Sequence, residues 1–363
     1  MSLRYWFTLP IVVLIATTAM ASGMGGVSLF SPLFVLAAEP ARAKGEHPNL
    51  SFGSEMILRN CWSREDLAGR PEDKIIVQTT NLLPRPPNII APLGDLCPSQ
   101  QAPPNSIRRV IPAGNEKVVA LTFDLCERAD ELAGYDYEVV NYLRGHRVQA
   151  TFFAGGKWMQ SHPEKTMQLM TDPLFEVGNH TWTHGNLRVM GGEKLLEQIL
   201  LPQAQYRELR KKLASWPCSR RTGKGEMAKI PLIPGVFRFP YGTCSHEALE
   251  ILRQLHLPAI QWDVVTADSK RNQSATAIAK AVLGNVQPGS IIICHANSRG
   301  YHTAEALPLF VPELRKRGYT FLTVSELLTL GPVFSTPECY EVIPGDNEKY
   351  DEVFGEGTVR RKH

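Results

Sequence analysis

Two histidines, His180 and His184, stand four residues apart in Gly178-Asn-His-Thr-Trp-Thr-His184, directly after the apolar run Phe175–Val177. Imidazoles at that spacing can face one ion from a helix turn or from a tight loop, and neutral imidazole is the usual nitrogen ligand of first-row divalent metals. In the H-E-x-x-H pattern the general base lies between the histidines. Here the intervening residues are Thr181, Trp182 and Thr183, none of which serves as a base. A metal-dependent reaction must therefore draw its base from elsewhere; the bland alternative is a surface pair that binds nothing.

Candidates for the missing groups occur where other apolar runs end. Leu121-Thr-Phe-Asp-Leu-Cys-Glu127 delivers Asp124 and Glu127. Phe237-Arg-Phe-Pro-Tyr-Gly242 places Arg238 to orient a carboxylate and turns the chain sharply, so that a backbone N–H near Tyr241 points the same way. Ala259–Trp262 leads to Asp268, and Ser290–Cys294 ends at His295, a candidate general acid. Such a set suits a hydrolase that activates water on a metal and protonates a leaving group. Taken singly, Asp124 reads equally as a helix cap, Arg238 as a surface ion-pair partner and His295 as a satisfied core residue. Their joint occurrence at successive strand ends argues against that reading for the whole set.

The elements that must position these residues form a regular series. After Gly114, apolar strand candidates at 118–123, 149–153, 175–177, 236–239, 259–262, 290–294 and 319–322 alternate with helix candidates. The helices are expected at 137–144, 163–170, 194–213, 246–255, 275–283, 304–317 and 324–330. Seven strand–helix repeats predict an α/β barrel over 116–330, with its chemistry on the loops after the strands.

The flanks read differently. Residues 5–38 carry no charge, follow Arg4 and contain small-residue cleavage patterns at Ala19-Met-Ala21 and Ala41-Arg-Ala43. Residues 1–43 are thus expected to be a signal peptide, or else a retained membrane anchor, and the protein to be exported to the periplasm or the cell exterior. Residues 44–115 include seven prolines between Pro84 and Pro104 and predict an extended arm rather than a second packed domain. The insertion Ser215–Pro234 lies in a stretch, Arg207–Lys229, with eight basic and two acidic residues, read as a solvated helix end and loop. Residues 331–363 are polar and aperiodic and suggest no function.

With 363 residues, 43% hydrophobic and 21% charged, the chain suffices for a large globular domain, and its net charge of +3 is too mild to imply nucleic acid. Its seven cysteines form no C-x-x-C pair. Bridges are expected between Cys218 and Cys244 and between Cys61 and Cys97, with Cys126 and Cys294 reduced in the core.

From Lys117 to Leu330 the chain resembles the polysaccharide deacetylases of the NodB-homology family, carbohydrate esterase family four. Leu121-Thr-Phe-Asp124 resembles the first family motif, His180-Thr-Trp-Thr-His184 the H-[ST]-x-x-H motif, and Arg238-Phe-Pro-Tyr241 the R-x-P-Y motif. Trp262 to Asp268 and Ile293-Cys-His295 are similar to the fourth and fifth. The resemblance implies a distorted (β/α)7 barrel with a proline-rich N-terminal extension, and metal-dependent removal of acetyl groups from a carbohydrate. It also implies Asp124 as base, His180 and His184 as ligands of a divalent ion, Arg238 orienting the base, the Tyr241 amide in the oxyanion hole, and His295 as acid tuned by Asp268. Zinc is the first choice of metal, with cobalt or another first-row ion as alternatives. Three positions depart from the family pattern: Leu125 replaces the usual second aspartate, Ser269 an aromatic and Ala296 an aspartate. Because Leu125 coordinates nothing, Glu127 is expected to supply the third ligand, with a Cys126 thiolate as the other option. The substrate expected is an N-acetylated amino-sugar polymer or oligosaccharide; the competing readings are a carbohydrate-binding barrel without metal and an O-acetyl esterase.

Overall fold

The run Val118–Leu125 is apolar at nearly every position instead of every second one, the pattern of a strand covered on both faces, and all eight of its residues are buried. The computed structural model describes residues 50, 52–78, 102–354 and 358. In it this strand is the centre of a parallel array. It pairs with Ala150–Ala154 and Thr320–Leu322 along one side and with Ser290–His295 along the other. Ala150–Ala154 pairs in turn with Phe175–Asn179. The register brings Asp124 level with both Phe153 and His295, so that the functional ends of three strands share one rim.

The expected strands at 236–239 and 259–262 are reduced to isolated parallel bridges, Asn179 to Phe237 and Phe237 to Ala259. Pro240 directly after the first segment and Pro258 directly before the second have no N–H to extend a ladder. The ring nevertheless continues through them: Arg238 N donates to Asn179 O (2.8 Å) and Ile260 N to Phe237 O (2.7 Å). Ile107 then bridges Ile260, and its strand, Ser106–Val110, pairs antiparallel with Ser290–His295. The barrel is therefore distorted and includes a strand from outside residues 116–330. Helices cover its outside within two residues of the expected bounds at most positions, including Tyr137–Gly145, Pro163–Thr171, Gly192–Ser215 and Thr303–Lys316.

Both flanks are more structured than their composition predicts. In the arm, the helix Glu55–Cys61 buries Ile57 and Leu58 in the main core, and Trp62 packs on Trp216 of the insertion with ring centroids 5.6 Å apart. Burying such side chains contributes roughly 1.5–3 kcal/mol each, enough to hold a short helix with little core of its own. In the tail, Val333–Thr336 pairs antiparallel with Ser106–Val110. The disulfides are Cys61–Cys218 and Cys244–Cys339, not the expected Cys218–Cys244 and Cys61–Cys97. Cys97 and residues 1–43 lie outside the described residues. The expectation failed because both bridges tie a flank to the barrel, and the flanks' docking was invisible in the sequence. Cys126 and Cys294 are free and buried, as expected. Of the basic stretch, Arg210 donates to the carbonyls of Met227 and Ile230, and Lys211 and Lys229 pair with Glu208 and Glu226, which suits a solvated helix end and loop.

Candidate active site

A cleft of about 690 Å³ opens at the rim where the parallel strands end, lined by Asp124, Cys126, His184, Tyr241, Asp268 and His295, among others. His180 lies just beneath it, fully buried. The two histidines sit in a loop, not a helix turn, with Thr181 and His184 in the left-handed region at φ 64° and 55°. Local bonds over-determine that backbone: Thr181 N donates to Asn179 Oδ1 (3.0 Å), Gly185 N to Thr181 Oγ1 (3.2 Å) and Thr183 N to Gln198 Oε1 (3.0 Å). Trp182 packs against Gly156, where a Cβ would lie 2.2 Å from the indole ring. The result is two imidazoles edge to face, centroids 4.9 Å apart.

His180 Nδ1 lies 3.0 Å from the Arg238 carbonyl, which can only accept, so Nδ1 carries the proton and Nε2 presents its lone pair to the cleft. His184 Nδ1 is buried with no hydrogen-bond partner among the described residues. Burial lowers the pKa of both imidazoles, His184 furthest, so both are held neutral and ready to ligate. A divalent ion fits this donor set. Nitrogens of His180 and His184 and the Cys126 sulfur all lie within 4.8 Å of one another, and an orphaned imidazole nitrogen buried without a partner costs free energy that a ligand would recover.

Arg238 is wholly buried between the rings of Phe153 and Trp262, its guanidinium carbon 4.0 and 5.5 Å from their centroids. Its Nη1 donates to Asp124 Oδ1 and to Thr122 Oγ1, each at 2.8 Å. Burial works to raise the Asp124 carboxyl, but Arg238 and the neighbouring imidazoles outweigh it and hold the pKa below the ordinary aspartate value. Asp124 Oδ2 is left 3.6 Å from His180 Nε2. Beside Asp124 on the neighbouring strand, His295 Nδ1 lies 2.8 Å from Asp268 Oδ1, while Asp268 Oδ2 accepts from His295 N and Thr303 Oγ1 at 2.7 Å each. Burial opposes the charged imidazole, yet the Asp268 carboxylate prevails and raises His295 above its ordinary value. A carboxylate whose ionised form is favoured and an imidazole whose protonated form is favoured, with donor atoms within 4.8 Å of each other in one cleft, make a base and acid pair. Tyr241 has φ 59° and ψ 7°, a left-handed backbone that costs a bulky residue on the order of 1 kcal/mol and re-aims its amide.

Glu127 is not placed as expected. Its carboxylate is taken by Lys157 Nζ (3.1 Å), Ser161 Oγ (2.5 Å) and Ala133 N (2.9 Å), away from the histidines. The tail, from which no function was read, walls the cleft instead. Arg108 donates to the carbonyls of Tyr340 and Glu341, and Trp262 Nε1 to Glu341 O. Phe354 stacks on Tyr241 with centroids 4.3 Å apart. Asp351 accepts from Asn186 and Arg188 in the loop that follows the histidines. No spacing signal pointed to these residues; the available clue was the four aromatics Phe334, Tyr340, Tyr350 and Phe354 in the tail.

The sequence profile of the polysaccharide deacetylases matches residues 112–260. A peptidoglycan-N-acetylglucosamine deacetylase of Bacillus cereus is 30% identical over 217 residues, which is 89% of that enzyme and 59% of this chain. The chain belongs to the polysaccharide deacetylase family. A peptidoglycan-N-acetylglucosamine deacetylase of Listeria monocytogenes is 27% identical over 270 residues, 73% of this chain, and the match spans about half (51%) of that longer relative. Among solved structures, a mutant of a CE4 family pseudoenzyme with restored enzymatic activity superposes with a TM-score of 0.50 at 26% identity, covering 62% of this chain and 72% of that one. The polysaccharide deacetylase barrel is thus the framework on which these side chains are mounted, and the tail and the two disulfides are fitted to it here.

Proposed function

We propose that this protein is an exported, metal-dependent hydrolase that removes the N-acetyl group from N-acetylglucosamine residues of a cell-wall glycan. One observation carries the reading: Asp124, paired with Arg238, and His295, paired with Asp268, face the same cleft beside two imidazoles whose neutral form burial favours. His180 and His184 would hold the divalent ion in this reading, and an ion bound there would supply Lewis acidity for a carbonyl and a more acidic water.

Asp124 takes the proton of the attacking water, and Arg238 keeps its carboxylate aligned without claiming Oδ2. The water oxygen bonds to the acetyl carbon, and the Tyr241 amide donates to the oxyanion that develops. His295 then gives its proton to the sugar nitrogen as the carbon–nitrogen bond breaks, releasing acetate and a free amine. Asp268 holds His295 in the orientation for that transfer. The substrate class is supported by the peptidoglycan specificity of the named relatives. Export is supported by the uncharged stretch at residues 5–38 and by two disulfides, which persist in oxidising compartments. Among the described residues no helix is long and apolar enough to cross a membrane.

A second reading, a glycan-binding barrel without metal, is favoured by Leu125 in the aspartate position of the first motif. Acetate release from N-acetylglucosamine oligomers, intact peptidoglycan and an O-acetylated glycan, measured with metal-stripped and zinc-reconstituted protein, decides among these readings. Zinc-dependent release from the N-acetylated substrates is the expected result. Stoichiometric glycan binding with no release under any metal would overturn it.

A further inference from the structure

Strand parity decides which side chains beyond Phe123 reach the cleft. Successive residues of a strand point to opposite faces, and the side chains keep alternating over the two residues that follow the strand's last residue, Leu125. Leu125 goes into the main core, and Glu127 goes to Lys157 and Ser161. Asp124 and Cys126 go to the cleft. Of these two, Asp124 has one oxygen held by Arg238, which leaves the Cys126 sulfur facing the histidine pair.

The separation is that of two ligands on one ion. Zinc–sulfur and zinc–nitrogen bonds of about 2.3 and 2.0 Å, at a tetrahedral angle, put the two donor atoms roughly 3.5 Å apart. Cys126 Sγ lies 3.5 Å from His180 Nε2. Asn297 Nδ2 donates to the Cys126 carbonyl at 2.8 Å and fixes the backbone that aims the thiol. Independently of the hydrogen-bond geometry, a His184 nitrogen also lies within 4.8 Å of both the Cys126 sulfur and a His180 nitrogen, and His184 Nδ1 is buried without a partner among the described residues.

We propose that Cys126 is the third protein ligand of the divalent ion, binding as a thiolate to complete a Cys–His–His set that selects zinc over harder ions. The inference rests on the metal-dependent reading above. On binding, the S–H bond breaks as the sulfur–metal bond forms, and the proton leaves to solvent through the cleft. A thiolate donor favours soft or borderline ions over magnesium or manganese. It compensates for Leu125 from a position one residue later in the chain and on the opposite face of the strand, and it leaves Asp124 free to act as base.

The test is titration of metal-stripped full-length protein with cobalt(II) chloride, followed by zinc competition. The native protein is expected to bind one equivalent and to develop a sulfur-to-cobalt charge-transfer band. Cys126→Ser should lose that band, and its zinc affinity should fall by at least about 100-fold, beyond the 10- to 100-fold typical of losing an outer-shell partner. Cys294→Ser and Glu127→Gln should keep band and affinity, provided circular dichroism shows each folded. Cys126→Asp should bind metal without the band and with preference shifted toward manganese; it also serves as the readable variant if Cys126→Ser does not fold. A band that persists in Cys126→Ser, or is absent from the native protein with cobalt bound, overturns the assignment. If His180→Ala and His184→Ala lose the ion while Cys126→Ser retains full affinity, the metal-dependent reading stands and only the cysteine assignment falls. If native protein releases acetate equally well without any ion, the metal-dependent reading itself fails.

Discussion

Arg238 Nη1 and Asp124 Oδ1 meet at 2.8 Å with both side chains withdrawn from solvent. A buried pair of this kind stabilises little compared with an apolar pair, but breaking it leaves an uncompensated charge. Its value lies in keeping a carboxylate ionised at the bottom of a cleft.

Removing either partner therefore has separable effects. Asp124→Asn should reduce acetate release by roughly 10²- to 10⁴-fold, the usual contribution of a general base, with bound metal unchanged. Arg238→Ala should cost about 3–5 kcal/mol of stability by orphaning the buried carboxylate. It should also raise the Asp124 pKa, so the acid limb of the pH–rate profile moves to higher pH. Denaturant unfolding and pH–rate profiles of both variants, with metal analysis, test this. Near-native turnover in Asp124→Asn would sink the role given to that residue.

The alkaline limb belongs to His295. Its folded pKa lies above the ordinary 6.5 because the Asp268 carboxylate outweighs burial, and Asp124 and Arg238 are the other charged groups acting on it. A raised folded pKa contributes stability that is full below the unfolded value and lost as pH rises through the folded one. Asp268→Asn removes the raising partner, so the alkaline limb should move to lower pH. The loss of stability should be large in acid and shrink toward alkaline pH. Profiles whose alkaline limbs coincide in the native and Asp268→Asn proteins would contradict this coupling.

Cys244–Cys339 ties the tail to the loop after Tyr241, whereas Cys61–Cys218 ties the arm to the insertion at residues that do not line the cleft. Losing either bridge should cost about 2–5 kcal/mol. Only Cys339→Ser should also raise KM for glycan oligomers, because Tyr350 and Glu341 wall the cleft while Cys61 and Cys218 do not. Thermal unfolding and steady-state kinetics of Cys339→Ser and Cys61→Ser distinguish the two. Equal KM for both variants would show that the tail has no part in substrate binding.

Much of the barrel was legible in the residues because strand and helix periods differ and each β/α unit carries its own boundary signals. The continuous apolar run at Val118–Leu125 announced a strand buried on both faces, and Asp124, Arg238, Asp268 and His295 announced themselves by following such runs. Which of them touch was implied by the resemblance of their motifs to those of the family, and the structure shows Arg238 on Asp124 and Asp268 on His295. What the tertiary structure alone decided was direction and docking. Glu127 and Cys126 are adjacent, and the reach of the longer glutamate side chain favoured the carboxylate as the ligand. Beyond the strand's last residue, Leu125, the alternation sends Glu127 to Lys157 and Cys126 to the histidines, and that depends on the backbone the fold imposes there. The tail and arm were read as loose because neither has an amphipathic period. They are ordered by long-range contacts with surfaces the barrel must first create: two disulfides, an antiparallel strand pair, and aromatic rings that settle on Tyr241.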